Sequence, residues 1–192
     1  MMSHPWYERR FIWLFFLILA LQLFGMVLIP FSGTSEPRYA EIARMMAESG
    51  DWITPWFEPG VPFWGKPPLS FWVQALSIRL FGLDEWAVRF PSLLAFLAIL
   101  AVIHTVARRY AGLRAAFWAV IVYASCALPY IAGIAVLTDP FLALGTTLCM
   151  AGFVLGQWYW RALGFVGLAI GLLAKGPLAG VLVVGSIATG WL

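Results

Sequence analysis

Residues 11–31 have the sequence FIWLFFLILALQLFGMVLIPF. This run of about 20 residues, interrupted only by Gln22, is long enough to cross the hydrocarbon core of a bilayer as a helix. Arg9 and Arg10 precede it, as in a signal peptide, but no small-residue cleavage site follows. We therefore predict a retained membrane anchor rather than a leader that is removed.

The composition of the whole chain extends this prediction. Of its 192 residues, 62% are hydrophobic and 11% are charged, and the mean hydropathy is +0.88. A soluble globule of this size could not bury so much apolar surface. The net charge of +3 is too weak to indicate binding to nucleic acid. These values exclude a disordered chain, a nucleic-acid-binding protein and an ordinary soluble enzyme domain, and they predict an all-α polytopic membrane protein.

Further apolar segments predict six transmembrane helices within a single transmembrane domain, residues 1–192. The predicted spans are residues 11–31, 86–103, 115–137, 140–159, 162–174 and a last segment after Gly176-Pro177. That last segment is still apolar at Leu192. From this ending we expect the chain to be the N-terminal part of a longer protein.

The distribution of charge predicts the orientation in the membrane. With a cytoplasmic N-terminus, six arginines and one acid face the cytoplasm, whereas six basic and eight acidic residues face the other side. This is the positive-inside pattern. It places Glu36, Lys66, Asp139 and Lys175 together on the extracytoplasmic face, although charged residues at the ends of spans are common in any membrane protein.

The outer segment, residues 32–84, is predicted to contain two interfacial helices. The first covers residues 36–49 and has one charged face, so it is too short and too polar to cross the bilayer. A turn-rich loop that contains three prolines follows it. The second helix starts at Pro67-Pro68 and ends near Gly82.

Charged residues at the ends of these segments are candidates for a functional site. Lys66 would lie beside the unpaired N–H groups at the start of a helix, which favours a phosphate, although a lysine that snorkels to lipid is an alternative. Glu36 could act as a base or merely cap its helix, and Asp139 could merely be an N-cap. For Lys175, the alternative to phosphate binding is that it complements the dipole of the helix that it ends. Together they could bind a phosphate through the cations and accept a proton on a carboxylate.

Other sequence patterns narrow the choice of chemistry. Four arginines on the same side are further candidate phosphate ligands: Arg38, Arg44, Arg79 and Arg89. The chain has no Walker loop, GxGxxG, HExxH or GxSxG motif. A transporter or flippase would need polar residues near the midplane of the membrane, where Gln22 and Gln157 are the chief examples.

Seven short motifs follow one another along the chain. They are Glu36-Pro37-Arg38-Tyr39-Ala40-Glu41-Ile42-Ala43, Ser49-Gly50-Asp51-Trp52, Lys66-Pro67-Pro68, Leu80-Phe81-Gly82, Arg89-Phe90-Pro91-Ser92, Thr138-Asp139-Pro140 and Lys175-Gly176-Pro177. In this order they resemble the polyprenyl-phosphate-sugar glycosyltransferases of the aminoarabinose transferase type, which are relatives of the protein O-mannosyltransferases. The resemblance implies a GT-C membrane fold. It also implies an inverting transfer of sugar from a polyprenyl-phosphate donor to lipid A, a glycan or a protein, on the periplasmic face of the bacterial inner membrane.

The resemblance also implies roles for individual residues. It assigns the catalytic carboxylate to Glu36 and contacts with the lipid phosphate to Lys66 and Lys175. It also implies that Arg38, Tyr39 and Asp139 contribute to substrate binding.

Two positions depart from the family pattern. Many members have Asp where this chain has Ser35, so Glu36 would have to take over catalysis. Many members have Glu where this chain has Gly65, so we predict no metal through this position and no cofactor. The open alternatives are a non-catalytic membrane module that binds lipid or partner subunits, and a part of a lipid-sugar flippase.

Overall fold

The computed structural model describes residues 5–190 and is almost entirely helical, which confirms the all-α prediction. The helices are α1 (Pro5–Leu28), α2 (Ser35–Ser49), α3 (Leu69–Phe81), α4 (Glu85–Ser125), α5 (Ala127–Ala132), α6 (Asp139–Leu155), α7 (Trp158–Lys175) and α8 (Pro177–Gly190). A short antiparallel hairpin, β1 (Trp56–Glu58) and β2 (Val61–Pro62), lies between α2 and α3. The end of the predicted sixth span, residues 191–192, lies outside the described residues.

The first predicted span corresponds to α1, which ends at Leu28 rather than at residue 31. The helix stops there because Pro30 disfavours a helical conformation at the residue before it. Trp13 and Phe24 are among the large apolar side chains that α1 exposes, as expected for a helix surrounded by lipid. Gln22 is fully buried instead, and its side-chain Nε2 donates to the Tyr130 carbonyl at 2.9 Å.

The second predicted span and the first part of the third lie in α4, whose two halves fold back on each other. The turn between them is at Gly112, where φ is 83°. A residue with a side chain rarely adopts this left-handed value, so glycine permits the tight turn. The rings of Phe96 and Tyr123 lie 6.1 Å apart across the halves, and those of His104 and Phe117 lie 5.7 Å apart.

The prediction of one continuous helix over residues 115–137 was wrong. Helix α4 ends at Ser125, the short α5 follows, and the chain is not helical again until α6. The break has a local cause in Pro129, which lacks the N–H that would bond to the Ser125 carbonyl, and whose ring would clash with it. The non-helical segment before α6 brings backbone N–H groups within reach of the outer segment.

Helices α6 and α7 form a closely packed antiparallel pair. A Cβ atom added to Gly145 would lie 2.5 Å from the backbone nitrogen of Gly171, and one added to Gly152 would lie 2.7 Å from the Trp160 carbonyl oxygen. Only glycine allows backbones to approach this closely. Because the helices are antiparallel, the first residue of α6 lies beside the last residue of α7.

The outer segment packs as a unit around its own apolar core. The side chains of Ile42 and Met46 on α2 and of Phe71 and Ala75 on α3 are fully buried in it. The two predicted helices are confirmed, and Gly50, which follows the last residue of α2, has the left-handed conformation. The predicted loop between them differs from expectation in containing the β1–β2 hairpin.

The lipid-facing character of the chain agrees with the predicted membrane protein. Two helical stretches, Arg9–Leu28 and Glu85–Ser125, are long and apolar enough to cross a membrane, and three shorter apolar helices accompany them. Large apolar side chains on the later helices are also exposed, such as Phe165 on α7 and Val181 on α8. Such extensive apolar exposure suits a lipid environment better than water.

Candidate functional site

Lys66 and Lys175 are the two lysines of the chain, and they line the same cavity although 109 positions separate them. Lys66 lies just before α3, and Lys175 is the last residue of α7. The cavity has a volume of about 410 Å³, and we call it the lysine cavity. Its wall also contains Ile53, Pro55, Trp64, Gly65, Pro67, Pro68, Gly176 and Pro177. The predicted co-location of the two lysines is therefore present in the fold.

Lys66 has an ammonium group that no described residue pairs with or hydrogen-bonds to. It is only half-buried, and it precedes the first turn of α3 by three residues. The unpaired N–H groups and the dipole of a helix N-terminus add positive potential at this place. A free ammonium beside a helix start is well suited to bind the oxygens of a phosphate.

Asp139 is brought to the lysine cavity by an ion pair. Its Oδ1 lies 2.6 Å from the Nζ of Lys175, whose side chain is 18% exposed. The interpretation of Asp139 as an N-cap was wrong, because Thr138 occupies that position and Asp139 is the first residue of α6. The close packing of α6 on α7 sets this pair, because it places the start of one helix beside the end of the other.

Glu36 lies in a separate buried network. Its carboxylate accepts hydrogen bonds from the backbone N–H groups of Ser32 at 2.9 Å and of Val136 at 3.0 Å, and its side chain is 6% exposed. Arg89 donates from Nε to Oε1 at 3.1 Å and from Nη2 to Oε2 at 3.4 Å. The catalytic role of Glu36 stays a prediction. Its contacts tie the start of α2 to α4 and to the segment before α6.

Arg89 completes this network and is itself almost fully buried. Its Nη1 donates to the carbonyl oxygens of Met26 at 2.9 Å and Ile29 at 2.6 Å, which belong to the end of α1 and the residues after it. The guanidinium also lies 4.9 Å from the centre of the Phe31 ring. Five donors in a fixed plane allow one arginine to bridge a carboxylate and two carbonyls. Arg89 therefore joins α1, α2 and α4.

Arg38 and Tyr39 lie near the hairpin rather than on the wall of the lysine cavity. The guanidinium of Arg38 is 5.7 Å from the centre of the Phe57 ring in β1. The ring of Tyr39 packs against Phe63 at 6.2 Å and against Phe71 at 5.7 Å. Phe63 immediately precedes Trp64, which lies in the wall of the lysine cavity. Tyr39 therefore contacts this wall indirectly, through Phe63. Binding of substrate by either residue stays a prediction.

The remaining candidate arginines are engaged elsewhere in the structure. Arg44 pairs with Glu41 and Glu48 on α2, and the Arg44 guanidinium holds the pKa of the Glu41 carboxyl below its usual value. Arg79 donates from Nε to the Ala47 carbonyl at 2.9 Å and stacks over Trp52. Arg89 is buried, and all three arginines already donate to groups on α2. Their binding of phosphate stays a prediction.

Asp51 organises the loop that supplies one wall of the lysine cavity. Its Oδ1 accepts hydrogen bonds from the N–H groups of Thr54 and Ile53, each at 3.0 Å, and its Oδ2 accepts one from the indole of Trp56 at 3.0 Å. These donors hold the pKa of the Asp51 carboxyl below its usual range, because they favour the charged form. The turn presents Ile53 at the rim of the cavity.

Gly65 is crowded by the ring of Phe63. A Cβ atom at residue 65 would lie 2.8 Å from the Cζ of Phe63, which packs in turn against Tyr39 and Phe71. A glutamate here would have to displace that ring. The described residues 5–190 also contain no group of three His, Cys, Asp or Glu side chains that could hold a metal ion. Glycine also offers no side-chain ligand, and the absence of a metal bound through this position stays a prediction.

The geometry gives a site with two separate parts at one end of the molecule. One part is an open cavity lined by the two lysines, of which Lys175 is paired with Asp139, and the other is a buried ion pair that holds the surrounding helices. A model of the family described as dolichyl-phosphate-mannose-protein mannosyltransferase matches residues 9–191. The chain belongs to this family.

The names of individual relatives describe a narrower activity than the name of the family does. An undecaprenyl phosphate-alpha-4-amino-4-deoxy-L-arabinose arabinosyl transferase of Edwardsiella ictaluri is 39% identical over 153 residues, which cover 75% of this chain and 28% of the relative. A protein of the same description from Sodalis glossinidius is 34% identical over 179 residues, covering 84% of this chain and 31% of the relative. The chain thus spans less than a third of the length of these relatives.

Solved structures confirm the predicted GT-C membrane fold. The crystal structure of ArnT from Cupriavidus metallidurans bound to undecaprenyl phosphate matches with a TM-score of 0.84 and 27% identity, over 97% of this chain and 36% of that one. The structure of the same protein in the apo state matches with a TM-score of 0.80 and 28% identity, over 95% of this chain and 37% of that one.

Proposed function

We propose that this chain forms the part of a membrane glycosyltransferase that binds the lipid phosphate of the sugar donor. The observation that carries the proposal is the lysine cavity, in which the chain's two lysines meet. Two relatives are named for transfer from undecaprenyl phosphate, and one structural neighbour holds undecaprenyl phosphate. The donor proposed here is accordingly a polyprenyl-phosphate sugar, and aminoarabinose is the sugar that those names favour.

The proposed reaction uses the cations to stabilise the leaving group. The acceptor hydroxyl attacks the anomeric carbon of the sugar as the bond from that carbon to the phosphate oxygen breaks. Negative charge then grows on the phosphate, where Lys66 and Lys175 stabilise it more in the transition state than in the ground state. Attack on the face opposite the phosphate inverts the anomeric centre. The acceptor is lipid A, a glycan or a protein.

The proposed setting is the bacterial inner membrane, with the N-terminus in the cytoplasm and the lysine cavity facing the periplasm. The support is the excess of arginines at the opposite end, including Arg108 and Arg109 just before the Gly112 turn. A polyprenyl phosphate anchored in the outer leaflet would bring its headgroup to the height of the lysine cavity.

Replacing Lys66 with alanine tests this function. We expect the rate of transfer to fall by about 10²–10³-fold, as when one donor to a developing negative charge is removed. Binding of undecaprenyl phosphate should weaken less, because the ground state carries less charge at the reacting oxygen. The measurement is transfer of radiolabelled sugar from undecaprenyl phosphate by the full-length protein in proteoliposomes.

Two matched variants accompany Lys66→Ala. Lys66→Arg keeps the positive charge and should retain more activity than alanine, whereas Arg109→Ala removes an exposed charge at the opposite end and should leave the rate unchanged. An unaltered transfer rate in Lys66→Ala would refute the role of Lys66. Binding of undecaprenyl phosphate without any transfer by the unmodified protein would instead support the alternative of a non-catalytic lipid-binding module.

Because residue 65 is glycine, we also propose that transfer does not depend on a metal bound through this position. We expect the transfer rate of the unmodified protein to be the same with and without an excess of EDTA, because position 65 offers no ligand. A loss of activity in EDTA that added divalent cation restores would contradict this expectation. The comparison is made on the same proteoliposomes, so that the lipid composition is constant.

A further inference from the structure

The carboxylates of the outer face differ in what they are already bound to. Glu36 accepts hydrogen bonds from Ser32, Val136 and Arg89. Three others are also engaged with partners: Glu41 and Glu48 with Arg44, and Asp51 with its own turn. Asp139 is different, because its partner is one of the two cations of the lysine cavity.

The side chain of Asp139 is accessible as well as close to the cations. It is 52% exposed, compared with 6% for Glu36. Only Oδ1 is bound to Lys175, and Oδ2 accepts no hydrogen bond from the described residues. The carboxylate does not cap α6, and the bond that it makes within the described residues is the one to Lys175. A general base must be within hydrogen-bond reach of the proton that it removes, and Oδ2 of Asp139, next to a lysine of the cavity, is free to make such a bond.

We propose that Asp139 is the general base that takes the proton from the acceptor hydroxyl. This inference rests on the proposed function, since it needs an acceptor at the lysine cavity. The acceptor oxygen forms its bond to the anomeric carbon, and the O–H electron pair stays on that oxygen. The proton passes to Oδ2 of Asp139. The bond between the anomeric carbon and the phosphate oxygen breaks with its electron pair on the phosphate, which leaves as polyprenyl phosphate.

The ion pair also couples this base to the donor. In the free protein, Lys175 is held by Oδ1 of Asp139 at 2.6 Å. An arriving phosphate competes for the same ammonium, whose three N–H donors can serve both anions. The donor phosphate and the base then share Lys175, which fixes their separation. Binding the donor therefore orders the carboxylate next to the carbon that is attacked.

The discriminating variant is Asp139→Asn, tested in the full-length protein in proteoliposomes. Asparagine keeps an oxygen that accepts from Lys175 but cannot take up a proton. We expect kcat to fall by about 10²–10⁴-fold, the usual contribution of a general base. Binding of undecaprenyl phosphate and KM for the donor should stay within about twofold. Asp139→Glu, which restores a base, should exceed Asp139→Asn by at least about tenfold in kcat.

Two control variants separate this role from the alternatives. Glu58→Gln removes an exposed carboxylate of the hairpin and should leave kcat unchanged. Glu36→Gln tests the rival base, with kcat corrected for the fraction of folded protein. The proposal is overturned if Asp139→Asn keeps its kcat, if it raises only KM, or if Asp139→Glu is no better than it. If the unmodified protein binds no undecaprenyl phosphate and transfers no sugar, the proposed function itself has failed.

Discussion

Replacing Arg89 with alanine is expected to lower the free energy of unfolding by about 3–5 kcal/mol, because it leaves a buried charge without its partner. Glu36 would keep two backbone donors but lose the guanidinium, and the carbonyls of Met26 and Ile29 would lose theirs. Desolvated acceptors without donors are costly. The measurement is denaturant or thermal unfolding of the purified protein in detergent.

The surface pair on α2 supplies the control for this prediction. Arg44 also bonds two carboxylates, but these side chains are partly exposed, so Arg44→Ala should cost no more than about 1 kcal/mol. The double variant Arg89→Met with Glu36→Gln should recover much of the loss, since it removes both buried charges. Equal losses for Arg89→Ala and Arg44→Ala would show that burial does not set the strength of the pair.

Replacing Gly167 with alanine is expected to force α6 and α7 apart. The added Cβ would lie 2.6 Å from the carbonyl oxygen of Gly145 and 2.6 Å from the Cβ of Leu148. The backbone cannot yield as a side chain does, so we expect a cost of at least about 1–3 kcal/mol. The activity should fall too, because Lys175 lies eight residues further along the same helix. Thermal unfolding and sugar transfer are the two measurements.

Gly185→Ala is the matched control for the packing prediction. This glycine is also within a helix, α8, but nothing lies within 4 Å of an added Cβ. Alanine there should leave the stability unchanged or raise it slightly, because alanine is the better helix former. If Gly167→Ala were as stable as Gly185→Ala, the two helices would have to be less closely packed than the structure indicates.

The sequence was sufficient for the parts of the fold that depend on local patterns. Apolar length predicted α1 and the two halves of α4, and glycine and proline marked the ends of α2 and α3. The apolar pattern failed to predict the helix break within residues 115–137, because apolar residues continue through the break. Pro129 was the residue that could have indicated it. A hydropathy pattern reports whether a segment prefers lipid, but it does not report whether the backbone stays helical there.

The candidate site was also predictable in part from the sequence, and in part dependent on how the helices pack. Charge and topology placed Lys66, Lys175 and Asp139 on one side, and the fold brought them together. The partner of Glu36 could not be predicted, because Arg89 lies 53 positions away and looked equally suited to bind phosphate. Contacts between distant residues depend on how helices pack. The glycines at positions 164, 167 and 171, spaced to share one face of α7, were the available signal for the packing that sets the ion pair.

The separation of Lys66 and Lys175 along the chain has a consequence for biogenesis. Proteins are made from the N-terminus, so the first ammonium enters the membrane well before the second has been synthesised. A nascent chain that has not yet reached residue 175 has only one of the two ammonium groups of the lysine cavity. Under the proposed function, the complete phosphate site therefore exists only after seven helices have been synthesised.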